Sequence, residues 1–163
     1  MILTVTCLCL LTRTRGDKPA EVLLGYKKTG LGTGNIVGLG GHVEAGETPR
    51  QAAAREAEEE AGVVVDPAGL REVAEILFQF PVRPAWDQQV FVYTTADFDG
   101  EPAESAEITP QWFAVTKLPL AAMWDDARYW LPRVLAGERL RATFTYADDC
   151  KTVAQQAIAT GFP

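Results

Sequence analysis

The stretch GHVEAGETPRQAAAREAEEEAGV, from Gly41 to Val63, decides the fold because it encodes one helix with clear start and stop signals. Thr48 suits the N-cap, with a proline at the first helical position and a capping-box partner in Gln51. Gly62 is placed to end the helix in a left-handed turn. The sequence therefore predicts a helix from about Pro49 to Ala61.

Three glutamates fall on one face of this predicted helix. Glu56, Glu59 and Glu60 occupy positions i, i+3 and i+4, so their carboxylates project within an arc of roughly 100°. Oxygen-only sites select hard cations, and magnesium binds through a few carboxylates together with substrate phosphates. We therefore expect a site for Mg²⁺ or Mn²⁺ here. The alternative is an ordinary charged helix face in contact with solvent.

The residues around these glutamates resemble the signature of the Nudix hydrolases. That pattern is a glycine, five variable residues, a glutamate, seven variable residues, Arg-Glu, an apolar residue, any residue, Glu-Glu, any residue, a glycine and an apolar residue. The matching positions in this chain are Gly41, Glu47, Arg55, Glu56, Ala57, Glu59, Glu60, Gly62 and Val63. Only Ala57 is atypical, being smaller than the usual aliphatic residue. A match at so many fixed positions is far more specific than an isolated glycine loop.

The resemblance implies which residues would bind the metal. Glu59 and Glu60 would be direct ligands, and the carbonyl of Gly40 would add a third oxygen. Glu56 would be a further ligand or the base that activates water. Because adjacent carboxylates disfavour full ionisation, at least one of their pKa values should be raised, which suits a general base.

Arg55 and Glu47 would orient these carboxylates by the same resemblance. For Arg55 the alternative is an ordinary i,i+4 ion pair with Glu59. The two interpretations stay open because both describe the same contact.

Composition and charge describe a small folded domain. With 163 residues and 47% hydrophobic content, the chain fits a single domain, residues 1–163, with a substantial core. The net charge of −7 and the pI near 4.7 argue against a nucleic-acid polymer as partner, because no basic stripe replaces counterions. An acidic protein can still bind a small-molecule nucleoside triphosphate through a metal bridge. The oligomeric state stays open.

The opening residues MILTVTCLCLL resemble a signal peptide in hydrophobicity but lack its basic start and its cleavage site. Their β-branched alternation predicts the first strand. No apolar run approaches the length that spans a membrane. Cys7, Cys9 and Cys150 show no CxxC spacing, so we expect reduced thiols and a cytoplasmic protein.

Turn signals divide the rest of the chain into short strands and a second helix. The predicted helix covers roughly residues 125–136. The predicted extended segments are 21–26, 35–39, 70–80, 89–96, 107–114, 141–146 and, as a short closing segment, 152–159. Strands around one long helix, with a second helix late in the chain, indicate an α/β class fold, an α/β/α sandwich with a mixed sheet. The Nudix fold is the same, so the resemblance implies it too.

Further segments resemble the animal MutT-type branch of the family. They are Tyr26-Lys27-Lys28, Phe78-Gln79-Phe80, Glu107–Trp112 and Met123–Asp126 with Tyr129–Pro132. The resemblance implies hydrolysis of oxidised purine nucleoside triphosphates such as 8-oxo-dGTP to the monophosphate and pyrophosphate. It also implies a metal-site role for Glu107 and a phosphate contact for Lys27. For both residues an exposed surface charge is the alternative.

The same resemblance implies a nucleobase pocket built from Phe78, Phe80, Trp124 and Asp126. Aromatic faces can stack on a purine, and a carboxylate can hydrogen-bond to the base edge. Core packing is the alternative for each aromatic residue. The chain departs from the branch at two positions, where Val37 replaces an asparagine and Ala127 replaces the second of two aspartates.

The sequence therefore predicts a Mg²⁺-dependent nucleoside triphosphate pyrophosphohydrolase, with an oxidised guanine nucleotide as the first substrate to test. Two alternatives stay open. One is a Nudix hydrolase for another modified nucleotide or a nucleotide sugar. The other is a noncatalytic nucleotide-sensing module on the same fold, although such modules usually lose box carboxylates that this chain keeps.

Overall fold

A mixed β-sheet positions the other elements of the chain. The structure is a computed structural model that describes residues 3–161. In chain order the elements are β1 Thr4–Arg13, β2 Glu21–Lys27, β3 Ile36–Val37, β4 Leu39–His42, α1 Pro49–Ala61, β5 Arg71–Gln79, β6 Gln88–Thr95, β7 Ile108–Ala114, α2 Ala127–Leu135, β8 Leu140–Tyr146 and β9 Val153–Thr160. None of the helices within residues 3–161 is long and apolar enough to cross a membrane.

Helix α1 has the predicted bounds because its caps form as the sequence indicates. The Thr48 side chain accepts a hydrogen bond from the Gln51 backbone, and the Gln51 side chain accepts one from the Thr48 backbone. Gly62 ends the helix with φ 70°, in the left-handed region. The alanines on one side of α1 are fully buried, so the helix packs close to the sheet and its glutamates are held in place.

The sheet is mixed, as predicted. Its strand order is β3-β2-β1-β6-β5-β8-β9, with β4 also paired to β1 and β7 to β2. The pairs β1/β6 and β5/β8 are parallel, whereas the other named pairs are antiparallel. One apolar cluster packs α1 against one sheet face, and a second packs α2 against the other. The α/β/α sandwich is therefore confirmed.

Two predicted segments differ from the structure in ways that matter for the site. The predicted strand 35–39 is divided at Gly38, because β3 pairs with β2 whereas β4 pairs with β1. The short closing segment is a full strand, β9, at the edge of the sheet. The predicted first strand is present as β1, although its first two residues, 1–2, lie outside the described residues.

Candidate active site

Three carboxylates form the chemical centre of the site. Glu56 and Glu60 come from α1, and Glu107 lies directly before β7. One oxygen from each lies within 4.8 Å of the others. Glu56 and Glu60 are buried, whereas Glu107 is exposed. This oxygen-only, carboxylate donor set fits a hard divalent cation.

Burial makes this cluster costly to ionise. Burial is the main reason that the pKa of Glu60 is raised to about 7, and the nearby charges of Glu56 and Glu107 contribute to the increase. The Gly40 backbone N–H, which donates to Glu60 at 2.7 Å, opposes it. Burial also raises the pKa of Glu56, and Arg55 opposes the increase. A bound cation would favour the ionised form of all three carboxylates.

Two glycines let strand β4 approach the carboxylates. A Cβ on Gly41 would lie 2.5 Å from an oxygen of Glu56, and a Cβ on Gly40 would lie 2.0 Å from the Cys7 carbonyl oxygen. No larger residue fits without moving backbone or carboxylate. The contact recorded for Gly40 is its N–H to Glu60, so its predicted role as a carbonyl ligand stays a prediction.

Arg55 connects the other residues of the motif. Its guanidinium donates to Glu47 at 2.6 and 3.1 Å, to Glu56 at 2.9 Å, to Glu59 at 3.1 Å and to the His42 carbonyl at 3.0 Å. These bonds lower the pKa of Glu47 and raise that of Arg55. Arg55 thus makes the i,i+4 ion pair with Glu59 and also links Glu47 to Glu56. Its predicted role in orienting the carboxylates stays a prediction.

Glu59 stands apart from the carboxylate cluster. Its side chain is 58% exposed and accepts from Arg55. The cluster consists of Glu56, Glu60 and Glu107 instead. Direct metal ligation by Glu59 remains a prediction, and it would require the Glu59 carboxylate to turn toward the cluster.

One cavity of about 340 Å³ connects Glu60 of the carboxylate cluster to the predicted nucleobase pocket. Glu60, Gly40 and Gly41 line it together with the five residues predicted to bind substrate. Those five are Lys27, Phe78, Phe80, Trp124 and Asp126. Phe78 and Phe80 are also buried in the α2-side cluster, so their core-packing role and their place in the cavity wall coexist.

Asp126 is held firmly within this wall. Its Oδ1 accepts from the Tyr146 hydroxyl at 2.5 Å, and its Oδ2 accepts from the Trp130 indole at 2.8 Å. Tyr146 in turn accepts from the Asp126 backbone N–H at 3.2 Å and stacks on Phe80 with ring centroids 4.7 Å apart. Burial raises the pKa of Asp126, although both side-chain hydrogen bonds lower it.

Comparison with known proteins gives the family. A family model described as the NUDIX domain matches residues 3–134, which is most of the chain. The chain belongs to the Nudix family. It is 41% identical over 137 residues to the oxidized purine nucleoside triphosphate hydrolase of Danio rerio, covering 84% of this chain and 86% of that protein. It is 39% identical over 131 residues to the enzyme of the same name from Mus musculus, covering 80% and 82%.

The fold of this Nudix domain also occurs in solved structures. A mutator MutT protein from Bacillus halodurans superposes with a TM-score of 0.76 at 23% identity, covering 96% of this chain and 97% of that one. At that identity the likeness concerns the fold alone. Since the family and both hydrolase relatives agree, the prediction of a Nudix hydrolase is confirmed.

Sequence reasoning missed two residues of this Nudix site, Trp130 and Tyr146. Both line the cavity and both hold Asp126. The i,i+4 spacing of Asp126 and Trp130 could have indicated their contact. Tyr146 lies 20 residues from Asp126, and no local pattern relates the two.

Proposed function

We propose that this Nudix hydrolase converts purine nucleoside triphosphates to the monophosphate and pyrophosphate, with 8-oxo-dGTP as the first oxidised substrate to test. The cavity carries the proposal, because Glu60 of the carboxylate cluster and the aromatic residues of the pocket line the same space. A triphosphate could therefore meet the carboxylates while its base stacks beside Trp124. The names of the Danio rerio and Mus musculus relatives support the substrate class.

Each residue of the site has a role in this proposal. Glu56, Glu60 and Glu107 would hold Mg²⁺ or Mn²⁺, with Glu59 and the Gly40 carbonyl as further ligands. The ion would neutralise charge on the polyphosphate. Glu56 is the proposed base. Arg55 and Glu47 keep Glu56 in place, and Lys27 contacts a phosphate from the cavity wall.

The proposed partner is a small-molecule nucleotide in the cytoplasm, with no role for a nucleic-acid polymer. A second candidate substrate class is favoured by Val37 and Ala127, which line the cavity without polar side-chain atoms. Their presence is compatible with a nucleotide carrying another modified base or with a nucleotide sugar. A substrate panel resolved by product would separate these classes.

Product analysis tests the proposal directly. In the presence of Mg²⁺, ion chromatography should find the nucleoside monophosphate and pyrophosphate from each hydrolysed triphosphate. Release of terminal orthophosphate alone would contradict the family chemistry. Failure of every nucleotide in the panel would favour a noncatalytic module.

The variant Glu60→Gln tests the carboxylate cluster. It removes a charge but keeps an oxygen that can accept from Gly40, so activity should fall at least about a hundredfold. The unfolding temperature in metal-free buffer should not fall. The matched control is Glu58→Gln, an exposed glutamate on the same helix. Full turnover by Glu60→Gln at saturating Mg²⁺ would refute the assignment.

A further inference from the structure

A polar pair interrupts the apolar wall of the cavity where β1 and β6 run side by side. In this parallel pair Thr4 lies opposite Gln88, and Thr6 lies opposite Val90. All four residues line the cavity. Further along the same strands the cavity face becomes apolar, with Leu8 and Leu10 lining it from β1. Gln88 is therefore a polar residue in a part of the cavity wall where an apolar residue would also suit the strand.

Thr6 fixes the orientation of the Gln88 amide. The Thr6 hydroxyl donates to Gln88 Oε1 at 3.0 Å. That bond occupies the acceptor end of the amide and leaves the two N–H groups of Nε2, for which the structure records no partner among the described residues. No fully buried side-chain nitrogen or oxygen lacks a partner within residues 3–161, so Nε2 is accessible, and Gln88 lines the cavity.

Two carboxylates of the cavity wall already accept hydrogen bonds from the protein. Both oxygens of Asp126 accept hydrogen bonds from protein donors, and Asp87 accepts from the Phe80 backbone at 2.7 Å. Val37 and Ala127 offer no polar side-chain atom. Among the described residues that line the cavity, Gln88 carries the only side-chain amide. Its N–H groups are thus uncommitted donors in a mostly apolar wall.

We propose that Gln88, oriented by Thr6, is a specificity-determining residue whose Nε2 donates to an exocyclic carbonyl oxygen of the purine base. This inference rests on the proposed function and narrows its substrate class to carbonyl-bearing purines. A carbonyl oxygen accepts a hydrogen bond from an amide N–H. The amino group of adenine is itself a donor, so it would face Nε2 of Gln88 without forming a hydrogen bond. A donor that the bound base would cover disfavours a base that cannot accept from it.

Two substitutions at position 88 test the inference. Gln88→Met keeps the length of the side chain but removes the donor, so kcat/KM for dGTP and dITP relative to dATP should fall about threefold to tenfold. Gln88→Glu keeps the acceptor for Thr6 and replaces the donor by a second acceptor. Gln88→Glu should lower the kcat/KM for dGTP relative to dATP further than Gln88→Met does, because the amino group of adenine can donate to the new carboxylate.

The neighbouring glutamine provides a matched control. Gln89 follows Gln88 in β6 but donates to Glu75 at 2.6 Å, outside the cavity wall. Gln89→Met should leave the dGTP to dATP ratio unchanged even if it lowers the unfolding temperature. Thr6→Val, which releases the amide, should lower the ratio in the same direction as Gln88→Met, and Thr6→Ser should preserve it.

The outcomes separate this inference from the proposed function. If the wild-type protein hydrolyses purine triphosphates and Gln88→Met keeps the wild-type ratio, the specificity role is wrong while the proposed function stands. A ratio change of equal size in Gln89→Met would also overturn it. If the wild-type protein hydrolyses no purine triphosphate, both proposals fail.

Discussion

At Glu60, burial disfavours the ionised form of the carboxylate. Its side chain lies among buried groups beside Glu56, and its pKa is raised to about 7, chiefly by burial. Because this value is above that of the unfolded chain, folding favours the protonated form. The resulting stabilisation is fully present below about pH 4.5 and is lost as the pH rises through about 7.

The first consequence is a pH dependence of stability in the metal-free protein. In EDTA the unfolding temperature should be lower at about pH 8 than at about pH 5.5, as measured by circular dichroism. Glu60→Gln should flatten this profile, whereas Glu58→Gln should keep it. Mg²⁺ added at about pH 8 should raise the unfolding temperature of the wild type more than that of Glu60→Gln. Identical pH profiles for the wild type and Glu60→Gln would contradict the prediction.

At the scale of elements, one buried contact joins the start of α2 to the end of β8. The Tyr146 hydroxyl donates to the Asp126 carboxylate and accepts from the Asp126 backbone. Trp130, one turn into α2, completes the set by donating to the same carboxylate. Because these groups also line the cavity, the contact fixes the shape of the pocket as well as the position of the helix.

Removing the Tyr146 hydroxyl should therefore destabilise the fold. Tyr146→Phe leaves a buried carboxylate oxygen and a backbone N–H without their partner, which should lower the free energy of unfolding by about 1–3 kcal/mol. Urea denaturation would measure the change. Tyr93→Phe is the control, because the Tyr93 hydroxyl has no recorded hydrogen bond to another described residue and Tyr93 is also buried. Equal losses in the two variants would contradict the role of the contact.

The elements also show what sequence can predict. Helix α1 was predicted with its full bounds because Thr48, Gln51 and Gly62 act locally, within the helix they begin or end. The contact of Tyr146 with Asp126 could not be predicted, since it depends on how β8 and α2 meet. The exposed position of Glu59 could not be predicted either, because helical spacing gives a shared face but not which of its residues the sheet covers.

At the scale of the whole molecule, the pocket is assembled from several strands and α2, so its selectivity is a property of the complete fold. Val37 and Ala127 lie in its wall without polar side-chain atoms. A site rejects a wrong base strongly only where buried polar groups would lose their partners. Gln88 would read a carbonyl that normal and oxidised guanine share.

We therefore expect only a modest preference for 8-oxo-dGTP over dGTP in kcat/KM. Two absent hydrogen bonds, at about 0.5–1.5 kcal/mol each, should reduce discrimination roughly tenfold to a hundredfold relative to a pocket with polar groups at both positions. Asp126→Asn should weaken the purine preference and spare the metal site. Steady-state kinetics on both nucleotides measure the ratio. A several-thousandfold preference of the wild type for 8-oxo-dGTP over dGTP would contradict this account of the pocket. Unchanged substrate ratios in Asp126→Asn would contradict it as well.

Strand β1 lies inside the sheet, and its parallel partner β6 is synthesised only after more than half of the chain. The Thr94 hydroxyl in β6 reaches the Leu10 carbonyl in β1 across 84 residues. Loop-closure entropy must be overcome before such distant contacts stabilise the chain, so folding should be slower than in a helical bundle of this size. On the ribosome, β1 emerges as an apolar strand that cannot complete its pairing until β6 follows. The part of the cavity wall that combines residues of β1 and β6 can therefore form only after β6 has been synthesised.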